Sequence, residues 1–116
     1  MMEIKIITNR ITLAEVKQIA ADSYGDMVKA VVDIERGIIA IGGEWHADAE
    51  SALLENGSTQ TNLWGINIYP DKSPDGMIAF VSLINIRPRQ NNRGMEIQDP
   101  FIKNKITAIV NKLISI

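Results

Sequence analysis

The run "MVKAVVDIERGIIAIGG", residues 27–43, constrains the fold more than any other part of the chain. Two β-rich segments flank Glu35, Arg36 and Gly37, and Gly37 can adopt the positive φ that a tight turn needs. A β-hairpin is predicted, with strands at 27–34 and 37–42. Gly42 and Gly43 then permit a bend or bulge.

The remaining elements are placed around this hairpin. "IKIIT", residues 4–8, is short and β-branched and reads as a first strand. Thr12 and Glu15 have capping-box spacing, and Leu13, Val16, Ile19 and Ala20 recur at helical intervals, so a helix is expected over 13–23. Residues 62–69 and 77–87 read as strands ended by Pro70 and Pro88. Asp99 and Pro100 open a helix over 100–114, with an apolar stripe of Ile102, Ile106, Ile109, Val110 and Leu113. "EWHADAESALLENGS" is ambiguous. Ala, Glu and Leu favour a helix, whereas the period-two polar alternation and the Asn56-Gly57 turn signal favour a strand running into a hairpin. The strand is the expectation. The fold class is then α+β in one domain spanning 1–116. It has a mainly antiparallel sheet of about five strands, two helices on one face and the order β-α-β-β-β-β-α.

Composition narrows the function. With 46% apolar and 22% charged residues, the 116-residue chain matches ordinary water-soluble domains. The net charge of −2 gives no general attraction to nucleic acid or to an anionic membrane. No cysteine is present, so disulfides, thiolate ligands and a cysteine nucleophile are excluded. The first residues lack an apolar core of signal-peptide length, and no apolar run can span a bilayer, so a cytoplasmic location is expected. Residues 1–60 carry five basic and ten acidic side chains and residues 61–116 seven and four, so the halves have opposite sign. Arg87, Arg89 and Arg93 crowd one loop.

On a strand at 44–50, Glu44, His46, Asp48 and Glu50 would project to one face. Asn67, Tyr69, Asn85 and Arg87 would join them from neighbouring strands, leaving an open polar face if both helices cover the other side. His46 is the only histidine and suits proton transfer or metal binding. Asp48 and the glutamates can orient it, Arg87 can hold a phosphate or carboxylate through two parallel hydrogen bonds, and Asn67 and Asn85 can donate and accept. The plain alternative is a solvated sheet face. With one His and no Cys, a tight zinc or copper site within one chain is not expected, and no cofactor is specified. No Walker loop, Rossmann fingerprint, H-E-x-x-H or G-x-S-x-G is present.

As a set, "GDMVKAVVDIERGIIAIGGEWHADAE", "NGSTQTNLWGINIYP" and "INIRPRQNNRG…DP" resemble a family of short bacterial proteins known only as a domain of unknown function. The similarity runs from about Ile11 to the end. It implies a stand-alone domain and carries no activity, substrate or cofactor. The leading expectation is a small binding or regulatory domain. Its polar sheet face, rimmed by Arg87, Arg89 and Arg93, would receive a small anionic ligand or a protein partner. Self-association is compatible with the sequence, and a nucleic acid partner is not favoured. The alternative is a metal-assisted or His-dependent phosphoester hydrolase, including a nuclease-like toxin, using His46, Asp48 and Arg87.

Overall fold

A computed structural model describes residues 3–115. The elements are β1 (Ile4–Ile7), β2 (Ile11–Thr12), α1 (Leu13–Asp22), β3 (Val28–Asp33), β4 (Ile38–Gly42), α2 (His46–Glu55), β5 (Leu63–Ile68), β6 (Ile78–Ala79), α3 (Pro100–Leu113) and β7 (Ile114–Ser115). Five strands form an antiparallel sheet in the order β1-β4-β3-β5-β6, so the α+β class and the antiparallel sheet stand. A small parallel pair, β2 with β7, ties the start of α1 to the end of α3.

The hairpin forms as the composition requires. Asp33 Oδ1 accepts from the Glu35 and Arg36 amides at 2.9 and 3.0 Å, and the Gly37 amide donates to the Asp33 carbonyl at 2.9 Å. Its strands form the middle of the sheet, with β3 central. Thr12 caps α1 through the Glu15 amide at 3.1 Å, and Asp99 caps α3 through the Phe101 amide at 2.9 Å. Side chains alternate across the sheet. Val28, Ala30, Val32, Ile39, Ile41, Trp64, Ile66 and Ile68 pack under α1 and α3, against Val16, Ala20, Ile106, Val110 and Leu113.

The opposite face is covered too, which the sequence reading did not foresee. Val31, Ile38, Ala40 and Leu63 pack against Ala49 and Leu53 of α2, with Ile4, Ile6 and Ile84 around them. Residues 46–55 are therefore a helix, not the strand expected from the polar alternation. His46, Ala49, Glu50 and Leu53 lie at helical intervals and make its inner face. Asn56-Gly57 ends the helix instead of turning a hairpin. The Gly57 amide donates to Leu54 and the Ser58 amide to Leu53, with Gly57 at φ +101°, the left-handed helix-ending motif. Gly42, at φ +110°, makes the break before α2, and a Cβ there would lie 2.2 Å from the Glu3 carbonyl oxygen.

The strand expected at 77–87 shrinks to Ile78–Ala79. Beyond it the chain makes 3-10 turns at Leu83–Asn85 and Pro88–Gln90, joined by isolated bridges Val81–Glu96 and Arg87–Asn92. Among the described residues no helix is long and apolar enough to cross a membrane.

Truncating α2's anchor tests this arrangement. Leu53 is fully buried and Leu54 is exposed. Leu53→Ala is expected to lower the unfolding free energy by about 2–5 kcal/mol. Leu54→Ala should cost less than about 1 kcal/mol in denaturant titrations, as a surface change does.

Candidate binding cavity at the start of helix α2

The polar residues singled out by sequence fall into two groups, and the edge of β5 separates them. β6 pairs only with Asn67 and Ile68, so the backbone of Gly65 and Leu63 needs other partners. Side chains supply them. The Asn85 amide accepts from the Gly65 N–H at 2.8 Å and donates to the Gly65 carbonyl at 2.9 Å, as a strand residue would. A Cβ at Gly65 would meet Ser82 Cβ at 2.6 Å, so only glycine admits this approach.

Arg87 continues the repair. Its Nε donates to the Ile84 carbonyl at 3.0 Å, one terminal nitrogen donates to Gln60 O at 2.9 Å and Gln90 Oε1 at 3.4 Å, and the other to Leu63 O and Glu50 Oε2. The guanidinium has five N–H donors and five acceptors within the chain. It also stacks on Trp64 at 4.7 Å. Arg87 is buried, with no donor left over for an anion. Burial pushes the Glu50 carboxyl above its ordinary value, while the Arg87 charge and the Gln60 side chain pull it back.

The other candidates separate. Glu44, Asp48, Arg89 and Arg93 are exposed. Tyr69 is half-buried and carries the Lys72 ammonium over its ring at 4.3 Å. Among the described residues no group of three or more His, Asp or Glu side chains is gathered to hold one metal ion.

His46 and Asn67 do meet. Both line a cavity of about 330 Å³ between the start of α2, strands β3 and β5, and residues 81–84 with Met95. Lys29 and Ser82 complete its polar surface, and Trp45, Leu83, Ile84 and Met95 make apolar walls. Trp45 and Leu83 are largely exposed at the lip. Lys29 stands opposite Asn67 in the β3–β5 register. Its ammonium lies 5.5 Å over the Tyr24 ring, and Tyr24 is held by its hydroxyl donating to the Glu44 carbonyl. Sequence reasoning missed Lys29, Trp45 and Ser82. The readable signal was Lys29, a lone charge inside the apolar run "VKAVV".

The chemistry at the cavity floor follows from two hydrogen-bonding facts. His46 Nε2 lies 2.8 Å from the Ile66 carbonyl, which can only accept, so Nε2 carries the hydrogen. In the neutral ring Nδ1 is then a lone-pair acceptor. Burial is the main cause holding the His46 pKa below its ordinary 6.5. The Ile66 hydrogen bond opposes it, the Lys29 charge lowers the value further and the Asn67 amide raises it. Asn67 Oδ1 is buried with no hydrogen-bond partner.

The chain belongs to a family described as protein of unknown function (DUF5674), whose model matches residues 5–113. No curated protein and no solved structure matches it.

Two measurements test the roles given to Arg87 and His46. Arg87→Ala strips three backbone carbonyls and the half-buried Glu50 carboxylate of their partner. It should cost about 3 kcal/mol of stability, the lower end for breaking a buried pair, because Glu50 keeps part of its hydration. Arg87→Lys should recover only a minor part, because a point charge cannot span the fork. For His46, the unfolded chain binds more protons than the folded one between the folded pKa and 6.5. Its stabilisation is therefore whole above 6.5 and is lost as pH falls through the folded value. Glu50 acts oppositely, since its raised pKa favours folding below 4.5 and the gain fades as pH rises. His46→Gln keeps a donor for Ile66 and removes the titration. The wild-type stability advantage over this variant should shrink as unfolding is followed below pH 6.5.

Proposed function

We propose that this protein is a small binding domain that receives a compact organic anion in the cavity at the start of α2. The observation that carries the reading is the orphaned Asn67 Oδ1 beside Lys29. A buried oxygen without a donor costs stability, and its residue lines an apolar-walled cavity, so a turn of the amide would bring that oxygen to a ligand N–H or O–H. Lys29 adds a cation for a carboxylate or similar group, and Trp45, Leu83, Ile84 and Met95 offer surface to an apolar body. The expected ligand is an acid bearing a hydrogen-bond donor and a mainly apolar frame. This keeps the anionic ligand inferred from sequence and moves its seat from the Arg87 loop to Lys29.

Hydrolysis has one feature in its favour, the unprotonated His46 ring at the cavity. Neither Asp48 nor Arg87 lines that cavity, and Arg87 has no donor left to stabilise developing charge. Binding is the better-supported reading.

The test is a calorimetric and amide-shift survey of small aromatic and aliphatic carboxylates, run on wild type and two variants. Lys29→Met keeps the apolar stem and should lose about 1.5–3 kcal/mol of binding, the worth of a charge-assisted contact. Asn67→Leu should weaken binding while raising the stability of the empty protein by about 1 kcal/mol, because it replaces an unpaired buried oxygen with an apolar isostere. A destabilised Asn67→Leu with unchanged ligand affinity would make Asn67 a packing residue and sink the reading.

A further inference from the structure

Resting on the anion-binding reading, we propose that the cavity takes up its anion together with one proton, which His46 carries. The geometry supplies each part. The Ile66 carbonyl holds His46 by Nε2–H at 2.8 Å, so Nδ1 is the nitrogen open to protonation. The ring and the Lys29 side chain line the same cavity. With the cavity empty, a proton on the buried His46 ring would place a second cation near Lys29. A carboxylate lying there offsets the Lys29 charge and stabilises the imidazolium through its own charge, while the Asn67 amide at the ring favours the protonated form as well. The proton comes from solvent and adds to the Nδ1 lone pair, with no other bond changed.

The surroundings leave Lys29 as the charge that sets this balance. From β5, Asn67 faces the ring and is neutral. From residues 81–84, Ser82 lines the cavity without charge. On the histidine's own segment, Glu44 and Asp48 are exposed, and Glu50, one turn on, is paired with Arg87. Burial is the first cause of the lowered proton affinity of His46 and persists with the cavity filled; the Lys29 contribution is the part an anion would offset. By linkage, an anion that raises proton affinity binds more tightly as pH falls.

The probe is 4-hydroxybenzoate, whose carboxylate stays ionised near neutrality and whose hydroxyl can serve Asn67. Calorimetry with wild type at about pH 7.5 and about pH 6, in two buffers of different ionisation enthalpy, reads affinity and proton uptake together. The expected result is up to about tenfold tighter binding per pH unit, with uptake approaching one proton. His46→Gln should bind with an affinity that does not change with pH. If that variant fails to fold, the buffer dependence of the wild-type heat decides alone. Equal wild-type affinity at both pH values with no proton uptake overturns the linkage and leaves the anion site standing. No binding at either pH, with the Lys29 and His46 resonances unmoved, overturns both.

Discussion

A strand whose neighbour stops after two residues leaves backbone groups that the protein interior cannot tolerate unpaired. β5 is such a strand, and the bonding of its free edge organises the rest of the molecule. The Asn85 amide closes on Gly65 and the Arg87 fork closes on Leu63 and Gln60. Asn92 stabilises the same segment, donating to the carbonyls of Asn85, Gly94 and Glu96 and accepting from the Gln98 amide at 2.9 Å. Residues 82–92 thus do the work of an edge strand through side chains. One consequence is local: the segment comes so close at Ser82 that residue 65 has no room for a side chain. Another is architectural. Val81 to Ile84 become a wall, and the space between them and α2 is the cavity.

The Glu50–Arg87 pair joins this edge to α2 at 3.4 Å. Both partners pay desolvation, which lowers the Arg87 pKa and raises that of Glu50. A pair of this kind adds little net stability against an apolar replacement. Its value is positional, since it fixes which turn of α2 faces β5. His46 lies four residues before Glu50, so the same constraint turns it inward toward Ile66. The packing of Ala49 and Leu53 and the Glu50–Arg87 pair thus turn the same helix face inward, and His46 lies on it.

The parts legible in the sequence were those that backbone chemistry dictates locally. The hairpin around Gly37, the caps Thr12 and Asp99 and the stripe of α3 all lie where residue spacing placed them. Two segments were misread, for related reasons. In residues 44–50, acidic residues alternate with Ala and Trp, which mimics a strand. The decisive contacts, Ala49 and Leu53 against Val31 and Ala40, depend on a second sheet face that the sequence does not announce. α2 also starts at Trp45 with no side-chain cap, so the usual start signal is missing. In residues 82–87, Ser-Leu-Ile-Asn-Ile-Arg has β character. Its polar members are spent on the edge of another strand, a non-local use that periodicity cannot show. Residue spacing groups His46 and Asn67 on one face of the sheet, which α2 does not allow. They meet across a helix start and a strand, not along one sheet face.

Three buried side-chain atoms among the described residues have no hydrogen-bond partner, and they are not equivalent. Asp33 Oδ2 belongs to a carboxylate whose other oxygen already holds two amides of the hairpin turn. Trp64 Nε1 sits on a ring that packs in the core and carries the Arg87 guanidinium, so what it lacks in hydrogen bonding is offset by burial and stacking. Asn67 Oδ1 finds no donor while the neighbouring His46 ring, whose proton affinity the Asn67 amide raises, is neutral, and its residue alone of the three lines the cavity. A packing role would be served as well by leucine at that place. The arrangement instead puts an unsatisfied acceptor, a lysine inside a central strand and a neutral histidine around one space. The unpaired acceptor lowers the stability of the empty protein, and one anionic, hydrogen-bond-donating guest would meet that acceptor and the lysine charge together.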